Sequence, residues 1–272
     1  MDLDGTLLNS RREISKANRD ALSEAAQRGA HIAVTTGRRY HSALPLLASL
    51  PCPATLIASN GALIATANNE IVRRKFLARD VARRALEAAP GFRPFAVAIY
   101  HIAGRGQLLL EQTASHEGPL AWYLANCAEC VEQAPDLPSA LPGDPTQILF
   151  GGPPARIEPL EAILSESDVS RDVHLTWTKY LTRNISLLDV LQRGCSKVEA
   201  VAWWAARQGI AAAEVMAIGD NYNDVEMLEF AGCPVLMGNS TPGLESSRWR
   251  QTLANDEDGV AAAVRQFVLK GF

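Results

Sequence analysis

The sequence predicts an α/β domain built on a parallel sheet and interrupted by an inserted α+β domain. Three observations predict it. Short continuous apolar runs alternate with amphipathic helical stretches over residues 1–79 and again over 190–272. Between them, over 80–189, the order changes to α-β-β-α-β-α-β-β, as expected of an antiparallel sheet with helices on it. Polar and small residues recur where the apolar runs of the outer segments end, and in an open parallel sheet those ends form one ligand-binding rim. The expected organisation is a discontinuous core, 1–79 and 190–272, with an insertion at 80–189.

The elements follow in chain order. "SKANRDALSEAAQRG" reads as a helix that Ser15 can cap, with Leu22, Ala25 and Ala26 on one face and Gly29 as its stop. "AHIAV" is a short run suited to a strand buried on both faces, and it ends in "TTGR". "YHSALPLLASL" predicts a helix despite Pro45. "ATLIASNGALIA" is broken by the turn signal Asn60-Gly61, and "ALIATANNEIVRRKF" predicts a hairpin turning at Asn68-Asn69.

In the insertion, "RDVARRALEAA" is a helix, and "FAVAIYHI" with "GQLLLEQ" a hairpin across Gly104 and Gly106. A helix is expected near 119–130, then a Pro-rich loop from Pro135 to Pro145. "TQILFGG" is a strand, "PARIEPLEAILSES" a helix, and "VHLTWT" and "NISLLDV" two more strands. The α/β rhythm then returns. "SKVEAVAWWAARQG" is a helix between Ser196 and Gly209, "EVMAIGDN" a strand and turn, and "DVEMLEFAG" a helix ending at Gly232. "PVLMGN" is a strand and "DGVAAAVRQFV" the last helix.

Composition limits the partners. The net charge is −4 over 272 residues with no basic stripe, which excludes nucleic acid as an expected partner. No apolar run approaches the roughly 18 residues that span a bilayer, and the acidic N-terminus does not read as a signal peptide. A membrane partner is therefore not expected, and no feature sets an oligomeric state. Five scattered cysteines suit a reducing, cytoplasmic setting. Cys127 and Cys130 form a lone C-x-x-C without a second pair or a histidine at zinc spacing, so they are expected to be helix cysteines with no metal or redox role.

The strand ends carry the candidate chemistry. They hold Asp2 and Asp4, Thr36-Gly37, Asn60-Gly61, and Gly219-Asp220 with Asn223 and Asp224. Lys197 adds a cation at the start of a helix, where exposed N–H groups already favour anions. Each piece alone is commonplace: an acidic pair in solvent, a tight turn, a surface lysine, an N-cap at Asn221 or Asn223. Together they are a constellation. Carboxylates with oxygen-rich neighbours suit a hard ion such as Mg2+. A metal, a lysine, a hydroxyl and backbone N–H groups suit a phosphoryl group, whose transfer needs mainly positioning and charge stabilisation. Aspartate is a competent covalent nucleophile, and a second acid nearby could protonate a leaving oxygen and then activate water.

With these residues in hand, the chain resembles the haloacid dehalogenase (HAD) superfamily, and more narrowly the Cof-type phosphatases. The motif D-x-D-G-T matches Asp2, Leu3, Asp4, Gly5 and Thr6. An apolar strand followed by Thr-Gly-Arg matches Thr36, Gly37 and Arg38, and the lysine opening a helix matches Lys197. G-D-x-x-N-D-x-x-M-L matches Gly219, Asp220, Asn223, Asp224, Met227 and Leu228, and "MGNS" and "NDEDGVA" are later family-like stretches. The resemblance implies a Rossmann-like parallel-sheet core with an inserted C2B-type α+β cap that chooses the leaving group. It implies that Asp2 attacks phosphorus and that Asp4 is the general acid and base. Thr36, Gly37, Lys197 and Asn60 would hold the phosphate. Asp2, Asp4 through its carbonyl, Asp220, and Asn223 or Asp224 would hold Mg2+. The implied function is a Mg2+-dependent phosphatase of a small phosphorylated metabolite, such as a sugar phosphate or a phosphorylated cofactor. A catalytically weak binding or regulatory protein on this fold is the alternative, and a phosphomutase a lesser one. Arg38 receives no role.

One departure remains. In the family the D-x-D loop follows a central strand, whereas here only Met1 precedes Asp2, so the first core strand is expected to be missing. Either Met1 is an internal methionine and roughly five to ten upstream residues complete the strand, or the chain tolerates this start.

Overall fold

The computed structural model describes residues 1–112, 123–124 and 127–270. The chain forms two compact units, residues 1–74 with 197–272, and residues 75–196.

In the N-terminal half of the first unit, α1 spans Lys16–Gln27. Ser15 caps it by accepting from the Asn18 N–H at 3.1 Å, satisfying a donor that the helix start would leave free. Its buried face carries Asn18, Ala21, Leu22 and Ala25. Strand β1, Ile32–Thr35, lies parallel to β2, Ala54–Ala58, with Ile32 opposite Ala54 and Thr35 opposite Ile57. Helix α2, Tyr40–Leu47, connects them and accommodates Pro45. Strands β3, Leu63–Ala65, and β4, Ile71–Arg74, continue the sheet antiparallel in the order β1-β2-β3-β4.

The second unit opens with α3, Arg79–Ala88. Its sheet contains β5 (Ala96–Ile99), β6 (Leu108–Glu111), β7 (Val131–Ala134), β8 (Gln147–Gly152), β9 (Val173–Tyr180) and β10 (Ile185–Gln192). The order is β7-β6-β5-β8-β10-β9, antiparallel except for β6 with β7. Short helices α4 (Leu137–Ala140), α5 (Pro154–Ile157) and α6 (Pro159–Glu166) complete it. One face of the sheet meets α3 and α6 through Leu86, Ile148, Phe150, Leu160, Leu164 and Leu188.

Three expectations change in this unit, the first being that the Pro-rich loop expected from Pro135 to Pro145 holds α4. Strand β7 was not legible, because "VEQA" has just two apolar residues and pairs on one edge. The helix expected near 119–130 falls largely outside the described residues, but its last part is a 3₁₀ turn, Ala128–Cys130. Cys127 and Cys130 are joined by a disulfide, with Cα atoms 5.3 Å apart, rather than standing apart on a helix.

The first unit resumes with α7, Lys197–Arg207, β11, Met216–Gly219, α8, Val225–Phe230, and β12, Cys233–Leu236. A two-residue strand β13, Arg250–Gln251, and α9, Gly259–Val264, follow. Strands β11, β12 and β13 are parallel and form their own sheet. Met1 and Asp2 lie between this sheet and the β1–β4 sheet. The Met1 nitrogen donates to the Ala33 carbonyl at 3.1 Å, and Met1 O accepts from the Thr35 N–H at 2.8 Å. The Asp2 N–H donates to Ile218 O at 2.9 Å, and Asp2 forms a parallel bridge with Thr35. Met1 and Asp2 are thus bonded to both sheets. The D-x-D loop beyond them is anchored by burial: Leu3, Leu7 and Leu8 are at most 2% exposed and pack with Ile14, Leu22, Val34 and Val260. Among the described residues, no helix is long and apolar enough to cross a membrane.

Candidate active site

Each group that sequence placed at a strand end sits in the first unit, at the carboxyl ends of β1, β2 and β11 or on the Met1–Asp2 segment beside them. At their centre is Lys197, the first residue of α7 and 2% exposed. Its Nζ donates to Asp2 Oδ1 at 2.6 Å and to Asp224 Oδ1 at 2.7 Å. Asp224 is fully buried, and its other oxygen accepts the N–H groups of Asp220 at 3.1 Å and Asn221 at 3.2 Å. This folds the loop after β11 around Asp224. Gly219 permits it, because a Cβ there would lie 2.5 Å from Asp224 Cβ.

Asp220 accepts from the Thr6 hydroxyl at 2.7 Å, which couples the loop after β11 to the D-x-D loop. Gly5 makes that approach possible. Its φ is +78°, and a Cβ on it would stand 2.4 Å from Asp220 Oδ2. The loop is also held through its carbonyls: Asn239 Nδ2 donates to Gly5 O at 2.8 Å and Asn255 Nδ2 to Leu8 O at 2.8 Å. The Asn255 N–H in turn donates to Asn239 Oδ1 at 2.8 Å. The stretches "MGNS" and "NDEDGVA" thus acquire a physical task that the sequence left blank.

On the β1–β2 side, Thr36 is buried and its Oγ1 accepts the Arg38 N–H at 3.0 Å. Ser59 and Asn60 both have left-handed backbone, with φ of 50° and 51°. Such conformations in non-glycine residues cost energy and cluster at functional sites. The arrangement sets the Asn60 N–H on Thr36 O at 2.9 Å and its side chain against Gly37. Asn223 Nδ2 donates to Asn60 Oδ1 at 3.2 Å, which links the loop after β11 to the end of β2. Asp4 stands apart from the buried cluster. Both of its oxygens are taken by the Arg38 guanidinium, Nε to Oδ2 at 2.6 Å and Nη2 to Oδ1 at 2.5 Å. Sequence reasoning had no role for Arg38; the partners are 34 residues apart, and no local pattern announces the pair.

Asp2, Asp220 and Asp224 each offer a carboxylate oxygen within 4.8 Å of the others. Burial pushes the Asp2 carboxyl up to about 7, against the pull of Lys197 and with help from Asp224 and Asp4. Burial likewise raises Asp220 well above the carboxylate range, reinforced by Asp2 and Asp224. Lys197 behaves oppositely. Burial alone would lower it, but Asp2 and Asp224 outweigh that and hold its ammonium above the ordinary lysine value. Three buried carboxylates thus crowd one ammonium. An all-oxygen donor set with negative charge in excess fits a hard divalent cation, which would restore the ionised carboxylates. Gly5 fits it too, by keeping a side chain off Asp220 Oδ2.

The family described as haloacid dehalogenase-like hydrolase matches residues 1–264. The chain is 28% identical over 269 residues to the 5-amino-6-(5-phospho-D-ribitylamino)uracil phosphatase YcsE of Bacillus subtilis (strain 168), covering 99% of this chain and 94% of that one. It is 28% identical to the HMP-PP phosphatase of Serratia proteamaculans (strain 568), covering 90% and 85%. A crystal structure of a haloacid dehalogenase-like hydrolase from Bacteroides thetaiotaomicron superposes with a TM-score of 0.77 at 25% identity, covering 97% of each chain. The chain therefore belongs to the haloacid dehalogenase-like hydrolases and is a phosphoric monoester hydrolase of the Cof type.

Proposed function

We propose that the protein is a Mg2+-dependent phosphatase of a small phosphorylated metabolite, working through a covalent phosphoaspartate. The observation that carries this is the buried group of Asp2, Asp220 and Asp224 around Lys197, beside the strand-end residues Thr36, Gly37 and Asn60. An Asp2 carboxylate oxygen attacks phosphorus, and the bond from phosphorus to the substrate oxygen breaks. The electron pair goes to that oxygen, which takes a proton from the Asp4 carboxyl. The Asp4 carboxylate then takes a proton from water, whose oxygen attacks the phosphorus. The phosphorus–Asp2 bond breaks, releasing phosphate and restoring both aspartates.

Lys197, the Thr36 hydroxyl and the Gly37 backbone would neutralise and orient the phosphoryl oxygens, with Asn60 beside them. Asp2, Asp220 and the Asp4 carbonyl would hold Mg2+, with Asp224 or Asn223 placed behind them. When bound, the cation would screen the phosphoryl charge from the attacking carboxylate. Asp224 suits a supporting place, because its oxygens already accept Lys197 and two backbone N–H groups. A small phosphorylated substrate is supported by the relatives, whose names specify a phosphoribitylaminouracil and HMP-PP. The test is phosphate release from a panel of phosphorylated metabolites with Mg2+ and with EDTA. Activity that needs Mg2+ and vanishes in Asp2→Asn supports the reading. A well-folded chain that releases phosphate from nothing, or an Asp2→Asn variant with full activity, sinks it.

A further inference from the structure

We propose that Arg38 is a positioning residue for proton transfer by Asp4. This rests on the reading of Asp4 as acid and base given above. The two side chains form a fork pair, in which Nε and Nη2 each meet a different carboxylate oxygen at 2.6 and 2.5 Å. Such a pair fixes the plane and the rotamer of the carboxylate as a single point charge would not. The arginine is itself held at its backbone. Its N–H donates to Thr36 Oγ1 at 3.0 Å, and its carbonyl accepts the Ser59 N–H at 2.9 Å. Thr36 and Ser59 directly follow β1 and β2, so the fork is mounted on the ends of two paired strands.

The arrangement solves a specific problem. Asp4 lies two residues from Asp2 on one loop, and the buried Lys197 already bridges two carboxylates. Without a partner of its own, the Asp4 carboxylate would be free to rotate away from the leaving oxygen. Arg38 supplies a separate cation on the more exposed side, where the Asp4 side chain keeps a third of its surface open. Asp4 thereby stays beside solvent, from which the second half of the reaction takes its water.

A positioned acid matters most when the leaving oxygen is basic. For substituted phenyl phosphates, kcat/KM reports the step in which the phenol departs, and the substrates differ little in size. The experiment compares kcat/KM for p-nitrophenyl and phenyl phosphate in the wild type, Arg38→Met, Arg38→Lys, Asp4→Asn and the Arg38→Met/Asp4→Asn double variant. Arg38→Met is expected to widen the ratio of nitrophenyl to phenyl rates by about tenfold or more, within the range a general acid contributes. Arg38→Lys should restore part of it, since charge returns without the fork. In the double variant the two losses should not add, because both act on one proton transfer. Equal losses on both substrates in Arg38→Met, or a rise in KM alone, would overturn the positioning role while leaving the phosphatase reading intact. An Asp4→Asn variant whose ratio matches wild type would overturn the acid role of Asp4 and, with it, this proposal.

Discussion

The Lys197 ammonium lies 2.6 Å from Asp2 Oδ1 although 195 positions separate the two in the chain. Both are buried, and Asp224 completes the bridge at 2.7 Å. Removing one partner of a buried ion pair leaves an uncompensated charge and costs about 3–5 kcal/mol. Lys197→Met keeps the length of the side chain but not the charge. It should lower stability in urea by an amount of that order at pH 8 and abolish phosphatase activity. At pH 5 the loss should be smaller, because Asp2, already raised toward 7 by its burial, then holds a proton. A variant as stable as the wild type at pH 8 would show that the bridge contributes nothing to the fold.

The same carboxylates set a metal-linked pH dependence. An acid raised in the folded state binds more protons folded than unfolded between its two pKa values, so stability falls as pH rises across that interval. For Asp2 the interval runs from 3.8 to about 7. Asp220 shifts in the same direction. A divalent cation competes with those protons. Mg2+ should therefore raise the melting temperature clearly at pH 8 and far less at pH 5. Equal shifts at the two pH values, or none at pH 8, would argue against the carboxylates as the metal site.

How much of this the sequence disclosed depends on the range of each interaction. Helix α1 announced itself by its cap and apolar spacing, and β1 and β2 by continuous apolar runs, because those signals lie within one element. The carboxylates were legible as members of matched motifs. Their sharing of Lys197 was not, since nothing near Lys197 in the chain specifies Asp2. The amides of Asn239 and Asn255 hold the loop by single bonds to distant backbone carbonyls, and such bonds leave no periodicity. The fork of Arg38 on Asp4 escaped for the same reason. Strand β13 escaped for another: two exposed residues, Arg250 and Gln251, are too few to show a strand pattern.

Thr6 ties the D-x-D loop to the loop after β11 through a single bond, its hydroxyl to Asp220 Oδ1 at 2.7 Å. Thr6→Val keeps the shape and removes the donor. Asp220 then loses a bond that favours its ionised form, in a buried setting where an unmet polar group costs about 1–3 kcal/mol. The expected result is weaker Mg2+ dependence of the melting temperature together with lower kcat. Unchanged Mg2+ affinity by calorimetry would remove Thr6 from the site.

Gly5 offers the sharpest steric test. At φ +78° an alanine is strained, and its methyl carbon would fall 2.4 Å from Asp220 Oδ2, closer than any real contact. Backbone strain of this kind costs on the order of 1–3 kcal/mol. The carboxylate must swing away, breaking the Thr6 bond, or the loop must shift and take Asp2 and Asp4 with it. Gly5→Ala should therefore lose activity far out of proportion to its stability, because a small displacement of reacting groups costs about 100-fold in rate. The measurement is kcat beside urea unfolding on the same preparation. The leucines at 3, 7 and 8, buried in the core of the first unit, should keep it folded. If the variant instead unfolds without any Mg2+ effect, the close approach of Gly5 to Asp220 serves the fold; if it stays folded with full activity, the D-x-D loop does not depend on that approach.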